Sequence, residues 1–260
     1  MFLPQLLTRA EKGEKLTALT CYDASFARLL AENGIDILLV GDSLGMTVQG
    51  HATTLPVTLE QMAYHTDAVA RGVAGKAFVV ADLPFGSYQR NAEQAFDSAA
   101  RLMAAGANMV KLEGGAVMVD TVRFLTRRGI PVCAHLGLLP QSVNATGYRA
   151  QAREASAATQ LFQDASDLEA AGAQMLVLES IPGVLADEVT QHLAIPTIGI
   201  GAGPQCNGQV LVLQDLLGLT EKPPRFAKDF MEGAWNIAAA IRNYVASVKA
   251  GEFPGPEHGF

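Results

Sequence analysis

Residues 105–114 read AGANMVKLEG, and residues 171–180 read AGAQMLVLES. Each stretch passes from a glycine typical of a helix end, through a continuous apolar run, to a glutamate, Glu113 or Glu179. Apolar runs without alternating polar residues indicate strands covered on both faces, as in parallel sheets between helices. This repeated order of helix end, strand and acid therefore predicts βαβ units.

The same pattern continues through the chain and predicts eight strands separated by amphipathic helices. Among the predicted helices are residues 117–128 and 228–249. Eight strands and their helices in 260 residues fit a single domain, residues 1–260, folded as a (β/α)8 TIM barrel. A doubly wound open sheet is the alternative, because periodicity does not reveal closure. The predicted strands are Leu16–Cys21, Asp36–Val40, Ala77–Ala81, Met109–Leu112, Pro131–Ala134, Met175–Leu178, Thr197–Ile200 and Val210–Leu213.

The composition limits the kinds of partner. A net charge of -7, a pI near 5.2 and the lack of a Lys/Arg block argue against nucleic-acid and membrane partners and favour small-molecule substrates. No apolar run approaches the roughly 18 residues of a membrane span. The first residues lack the order of a signal peptide, and three scattered cysteines indicate reduced thiols. We therefore expect a cytoplasmic protein.

Polar residues recur where the predicted strands end. Four strands lead to an acid, Asp42, Asp82, Glu113 or Glu179, and a fifth leads to His135. The carboxyl ends of barrel strands meet at one mouth, where active sites are assembled. The alternative, in which each acid caps a helix or starts a turn, suits a single acid better than four. The pattern predicts one acidic site.

Carboxylates that share a half-buried mouth repel one another and stay ionised together only beside a cation. Oxygen ligands suit Mg²⁺, whereas zinc lacks the expected histidine or thiolate pattern. Lys111 lies on the same strand face as Glu113 and adds a positive charge, although it could simply pair with an acid. A divalent ion, a lysine and a free carboxylate would suit enolate formation from a 2-oxo acid, with a glutamate as the base.

Other polar residues have two interpretations each. His135 could contact the substrate or be a satisfied structural residue. Ser43 has no nearby base and is interpreted as a hydrogen-bond donor rather than a nucleophile. Residues 136–154 form a long connection, either a lid or a surface loop, and carry Asn144, Tyr148 and Arg149, which suit a second substrate.

Several segments together resemble the ketopantoate hydroxymethyltransferase family, within the isocitrate lyase/phosphoenolpyruvate mutase barrel superfamily. The resemblance runs almost end to end and is most specific over residues 40–58. It implies transfer of a hydroxymethyl group from 5,10-methylenetetrahydrofolate to 3-methyl-2-oxobutanoate, giving 2-dehydropantoate on the route to pantothenate. It also implies one Mg²⁺ per subunit and a homo-oligomer, often a decamer. The segments are ALTCYDASFARL, LLVGDSLGMTVQGHATTLPVT, ADLPFGSY, AGANMVKLEGG, PVCAHLGLLPQSV, AGAQMLVLE, IPTIGIGAG and FPGPEHGF.

The resemblance also implies roles for individual residues. Glu179 would be the proton acceptor, and the metal ligands would be Asp42, Asp82 and Glu113. The oxo acid would contact Asp42, Ser43, Asp82 and Lys111, with His135 as a further candidate.

Two positions depart from the family pattern. Thr146 stands where a glycine is usual, and Asn207 where an aspartate is usual, which leaves the donor contacts open. A related C–C lyase or mutase is the alternative enzyme, but its Lys-Cys-Gly segment is absent. A barrel without catalysis is the third hypothesis.

Overall fold

The computed structural model describes residues 1–260, and its eight strands form one closed parallel barrel. Each strand pairs with its sequence neighbours, and the first strand pairs with the last. The prediction of a (β/α)8 barrel is therefore confirmed, and the open-sheet alternative is wrong. The strands are β1 (Leu16–Thr20), β2 (Ile37–Val40), β3 (Phe78–Asp82), β4 (Met109–Glu113), β5 (Val132–Gly137), β6 (Met175–Glu179), β7 (Thr197–Ile200) and β8 (Gly208–Leu211).

Helices cover the outside of the barrel, and short helical turns follow several strands. Thr58 and Gln61 form a reciprocal capping box, and the Asn91 side chain caps its helix by accepting from the Gln94 N–H. The helices are α1 (Leu3–Glu11), α2 (Ala24–Glu32), α3 (Leu44–Thr47), α4 (Leu59–Val73), α5 (Ala92–Ala104), α6 (Val119–Thr126), α7 (Val143–Thr146), α8 (Ala155–Ala170), α9 (Gly183–His192), α10 (Leu213–Leu216) and α11 (Ile237–Lys249). Short 3₁₀ turns occupy Ala116–Met118, Pro140–Ser142 and Pro256–His258.

Several element boundaries differ from the predictions, among them the eighth strand, which is Gly208–Leu211 rather than Val210–Leu213. The last helix begins at Ile237 rather than at residue 228, because the Asn236 side chain accepts from the Ala239 N–H at 2.8 Å and so caps it. Gly233, with φ of 78°, also interrupts any helix there. Strand β5 continues to Gly137, so His135 lies within a strand rather than at its end.

A single cluster of 70 buried residues forms the core. Most strands are buried along their whole length, as expected for strands enclosed by a ring of helices. Helix α11 packs against the seam between β1 and β8, where the Tyr244 hydroxyl lies 3.0 Å from the Ala18 carbonyl and 2.9 Å from the Gln209 carbonyl. This hydroxyl thus contacts both strands that close the barrel.

The register of the strands sets the order of polar side chains around the mouth. Asp82 is paired in register with Lys111, and Glu113 is paired with His135. Glu179 lies beside Gly137 on the next pair of strands. Adjacent strands therefore present these side chains side by side at the carboxyl end of the barrel.

Replacing Gly137 by Ala is expected to destabilise the barrel strongly. An added Cβ would lie 2.1 Å from the Glu179 carbonyl oxygen, and φ is 98°, a conformation that alanine avoids. The backbone strain at this φ and the displacement of the Glu179 carbonyl together predict a loss of about 2–5 kcal/mol in the free energy of unfolding. Urea titration followed by circular dichroism measures this loss.

Gly13→Ala is the matched control. Gly13 also has a positive φ, of 78°, but nothing lies within 4 Å of an added Cβ. Its replacement should cost only the free energy of placing an alanine at a positive φ, about 1–2 kcal/mol. Equal losses for the two variants would show that the close approach to Glu179 is unimportant.

Candidate active site

The side chains predicted to share a site line one cavity at the carboxyl end of the barrel. The cavity has a volume of about 1000 Å³. Because each predicted residue lies in the carboxyl-terminal part of a strand or just after it, the closed sheet brings together positions that are far apart in the sequence. All seven predicted site residues line the cavity: Asp42, Ser43, Asp82, Lys111, Glu113, His135 and Glu179.

Lys111 is the only lysine deep in this site and is paired with Asp82. Its Nζ lies 2.8 Å from Asp82 Oδ1, and both side chains are almost fully buried. Surrounding carboxylates raise the pKa of Lys111 and outweigh the opposing effect of burial, so the lysine stays charged. Four carboxyl groups thus face a single fixed positive charge.

Two of the acids around Lys111, Asp42 and Glu113, hold their protons more tightly than usual. Burial raises the pKa of Asp42 to about 7, the Asp82 charge adds to the shift, and Lys111 opposes it. Burial also raises the pKa of Glu113 well above its ordinary value. No three acidic, histidine or cysteine side chains form a ready-made cage for a metal ion. When these acids are all ionised, the site carries more negative charge than Lys111 alone can balance.

His135 lies between two of the carboxyl groups. Its Nε2 is 3.2 Å from Glu179 Oε2, and its Nδ1 is 3.7 Å from Glu113 Oε1. Burial, reinforced by the Lys111 charge, lowers the pKa of His135 well below its ordinary value, so the ring is neutral at pH 7. Neither ring nitrogen has a well-aligned hydrogen-bond partner, which leaves both free for a ligand.

Glu179 has the environment of a base that works near neutral pH. It ends β6, and burial raises its pKa to about 8. A carboxylate whose pKa approaches the working pH is a stronger proton acceptor than an ordinary glutamate.

Ser43 directly follows Asp42 and lies beside a buried tyrosine. The Ser43 Oγ and the Tyr22 hydroxyl are 2.8 Å apart. Asp42 is held from its backbone, because its N–H donates to Asp82 Oδ2 at 3.2 Å. Ser43 contacts no base, consistent with the interpretation as a hydrogen-bond donor.

Residues 136–154 form part of the cavity wall. Tyr148 and Arg149 line the cavity, whereas Asn144 does not. The Tyr148 side chain approaches Met46, with 3.8 Å between the hydroxyl and the sulfur, and it remains about half exposed. Of the three residues suggested for a second substrate, two are therefore in position to contact one.

The sequence analysis missed Gln141 and Tyr88. The Gln141 side chain donates to Asp42, and its backbone N–H donates to Glu113. The Tyr88 hydroxyl donates to the Gln141 side-chain oxygen at 2.7 Å. Glutamines and tyrosines in loops are common, and only the fold shows that these two lie against the acids.

Comparison with known proteins gives one consistent family. Residues 1–256 match the family described as Ketopantoate hydroxymethyltransferase. The chain is 63% identical over 259 residues to the 3-methyl-2-oxobutanoate hydroxymethyltransferase of Thiobacillus denitrificans, covering 99% of this chain and 98% of the relative. It is 61% identical over 262 residues to the enzyme of the same name from Methylobacillus flagellatus, covering all of both chains.

Solved structures share the fold at much lower identity. Phosphoenolpyruvate phosphomutase from Streptomyces platensis subsp. rosaceus has a TM-score of 0.64 at 17% identity, covering 84% of this chain and 83% of its own. A 2,3-dimethylmalate lyase, described as a PEP mutase/isocitrate lyase superfamily member, has a TM-score of 0.57 at 20% identity, covering 80% of each chain. No helix of the present chain is both long and apolar enough to cross a membrane.

Proposed function

This chain belongs to the ketopantoate hydroxymethyltransferase family, and we propose that its cavity binds 3-methyl-2-oxobutanoate, one Mg²⁺ and 5,10-methylenetetrahydrofolate. The chain is a hydroxymethyltransferase that forms ketopantoate, or 2-dehydropantoate, in pantothenate biosynthesis. The donor supplies one carbon, water supplies the hydroxyl group, and tetrahydrofolate leaves. The observation that carries the proposed chemistry is the convergence of four strand-end acids on Lys111 in one cavity.

The residues present fit a divalent cation. Three buried carboxyl groups and one lysine leave uncompensated negative charge, which burial makes unfavourable. Asp82 Oδ1 has no well-aligned hydrogen bond, although Lys111 Nζ lies 2.8 Å away, so it has capacity for another partner. Asp42, Asp82 and Glu113 would hold the ion, since Mg²⁺ takes oxygen ligands and needs only a few from protein. When bound, Mg²⁺ supplies Lewis-acid stabilisation of negative charge on a ligand oxygen.

Lys111 and Ser43 suit the carboxylate and keto oxygens of the oxo acid. Lys111 is fixed by its pair with Asp82, so it offers a positive charge without having to be ordered when the substrate binds. The Ser43 hydroxyl can donate one hydrogen bond while the Tyr22 hydroxyl donates to it. The two free nitrogens of His135 offer a further contact.

Glu179 is the proposed base for the hydrogen at C3 of the oxo acid. As the carboxylate takes this proton, the C–H electrons become the C2–C3 double bond of an enolate. The neutral His135 ring lies 3.2 Å from Glu179 Oε2 and places no competing positive charge beside the carboxylate. The enolate carbon then attacks the one-carbon unit of the donor.

The cavity is large enough for two substrates. Its volume of about 1000 Å³ is at the upper end of ordinary ligand pockets. The acids lie at the strand ends, and Tyr148 and Arg149 lie on the wall formed by the long connection. We place the donor at this wall, with its one-carbon unit facing the oxo acid.

The assembly is also a proposal. Val117, Val184 and Trp235 are each at least 74% exposed, and such apolar side chains suit subunit contacts. We propose a cytoplasmic homo-oligomer, a decamer by family resemblance, which light scattering of the purified protein can measure.

Hydrogen exchange at C3 of 3-methyl-2-oxobutanoate tests the proposed function. The protein is incubated with the oxo acid in D₂O, with Mg²⁺ or with chelator, and NMR follows the loss of the C3 proton signal. We expect exchange with Mg²⁺ and its loss with chelator, followed by 2-dehydropantoate formation when 5,10-methylenetetrahydrofolate is added. If the chelator leaves exchange unchanged, the proposed role of the metal is wrong. If no exchange occurs under any condition, the proposed enolate is wrong.

A further inference from the structure

We propose that Gln141 is a positioning residue that fixes the orientation of Asp42 and Glu113, two of the proposed ligands of the cation, and ties the order of residues 138–151 to metal binding. This inference rests on the proposed function, since it assumes that these two carboxylates are ligands. Its evidence is separate, because it comes from the hydrogen bonds of one side chain that the sequence analysis did not single out.

Gln141 connects two carboxyl groups from different strands. Its side-chain Nε2 donates to Asp42 Oδ2 at 2.8 Å, and its backbone N–H donates to Glu113 Oε2 at 3.0 Å. Asp42 follows β2 and Glu113 ends β4, so β3 lies between their strands, and Gln141 contacts both carboxyl groups directly. Gln141 is 5% exposed, and water therefore cannot replace these donors easily.

The other contacts of Gln141 fix which way its amide points. The Oε1 atom accepts from the Tyr88 hydroxyl at 2.7 Å and from Gln89 Nε2 at 3.1 Å, while Nε2 also donates to the Leu83 carbonyl at 2.9 Å. The reversed amide would turn its oxygen toward the Asp42 carboxylate and the Leu83 carbonyl, which are both acceptors. The amide is thus fully satisfied in one orientation, with a donor facing Asp42.

A neutral amide suits this position better than a charged group. It stabilises the ionised form of a carboxylate through a hydrogen bond but leaves the negative charge that attracts a cation. The side-chain amide engages only Oδ2 of Asp42, and the Gln141 backbone N–H engages only Oε2 of Glu113, so each carboxyl group keeps one oxygen free of Gln141. Partners that orient metal ligands from outside commonly change metal affinity by about 10–100-fold when they are removed.

Gln141 also connects residues 138–151 to the acidic side chains of the cavity. Backbone hydrogen bonds tie the ends of this segment to the last residue of β6 and to the residue after it, from Leu138 N to the Glu179 carbonyl and from Gln151 N to the Ser180 carbonyl. Between these ends, Gln141 makes the hydrogen bonds that reach the acids, and Tyr148 lies further along the same segment. A cation that fixes Asp42 and Glu113 should therefore order the segment, and by linkage an ordered segment should favour the cation.

The test compares Mg²⁺ binding by the complete protein and its variants. Gln141→Met keeps the size and the backbone donor but removes the side-chain amide, and Gln141→Asn keeps the amide but shortens its reach. Isothermal titration with Mg²⁺ should show both variants binding about 10–100-fold more weakly than wild type. Gln151→Met, in the same segment with its side chain on the Arg149 carbonyl, should bind within about twofold of wild type. Circular dichroism identifies a variant that fails to fold, in which case the other variant decides.

Hydrogen–deuterium exchange of the backbone gives a second measurement that does not depend on activity. Mg²⁺ should slow amide exchange in residues 142–148 of the wild type and of Gln151→Met, but not of Gln141→Met. If both Gln141 variants bind Mg²⁺ like wild type, the inference is wrong although the proposed function stands. If exchange slows equally in every variant, the coupling of the segment to the metal is wrong. If wild type binds no Mg²⁺, the proposed function and this inference both fall.

Discussion

Replacing Glu179 by Gln is expected to slow deuterium exchange at C3 of 3-methyl-2-oxobutanoate by about 10²–10⁴-fold. Glutamine keeps the shape of the side chain and its place near His135, but it cannot accept the proton. Mg²⁺ affinity should stay within about threefold of wild type, because the variant keeps Asp42, Asp82 and Glu113. NMR of the oxo acid measures exchange, and calorimetry measures Mg²⁺ binding.

Glu188→Gln is the matched control, because Glu188 is an exposed glutamate on α9, just beyond the same strand. It should exchange the C3 hydrogen at the wild-type rate. A Glu179→Gln variant that keeps the wild-type rate would show that another group removes the proton, and the role proposed for Glu179 would be withdrawn.

The pH dependence of exchange identifies the same group. The pKa of Glu179 is raised to about 8, so the active carboxylate form increases as pH rises toward that value. The rate should therefore rise about tenfold per pH unit in the acidic range and level off near or below pH 8, since added cations favour the carboxylate. The residual rate of Glu179→Gln should lack this rise.

Replacing Lys111 by Met is expected to lower the free energy of unfolding by about 3–5 kcal/mol, because it leaves Asp82 buried without its positive partner. The pKa of Lys111 is raised in the folded protein, so its stabilising effect is fully present below the unfolded value of about 10.5, and the lysine itself does not titrate between pH 6 and 9. In the variant, the remaining acids hold protons more tightly. In the unfolded chain these acids are already ionised, so a rise in pH favours the unfolded state of the variant. The loss in free energy of unfolding relative to wild type should therefore grow from pH 6 to pH 9.

Lys76→Met provides the comparison for this loss. Lys76 also forms an ion pair, with Glu32 at 3.1 Å, but both side chains are about half exposed. Such a surface pair contributes about 0–1 kcal/mol. Urea unfolding of both variants in chelator measures the difference. Similar losses for the two lysines would mean that the Lys111 pair is not the main compensation for the buried acids.

Much of the fold could be predicted because its signals are local. A glycine stop, an apolar run and a strand-end acid occur within ten residues, as in residues 105–114, and the barrel then places all such acids at one mouth. The start of α11 was predicted wrongly because residues 228–236 contain apolar side chains at helical spacing, whereas the cap at Asn236 decides the boundary. A local cap outweighed the periodic pattern there.

The supporting contacts of the site could not be predicted in the same way. Gln141 and Asp42 are 99 residues apart in the chain, and their hydrogen bond depends on how the segment after β5 folds back over the mouth. Similarly, Tyr22 reaches Ser43 only because β1 and β2 are neighbours. The sequence identifies which residues carry charge, but the geometry decides which neutral residues hold them.

The seam between β1 and β8 has a consequence for synthesis on the ribosome. Leu16 emerges long before its strand partner Gly208, because the other six strands of the barrel lie between them in the sequence. Until then β1 has an unpaired edge that could join strands of other nascent chains. Helix α11, which brings Tyr244 to the seam, is made later still. The barrel therefore closes only after β8 has been made, and pairing of β1 with β2 covers only the other edge of the first strand.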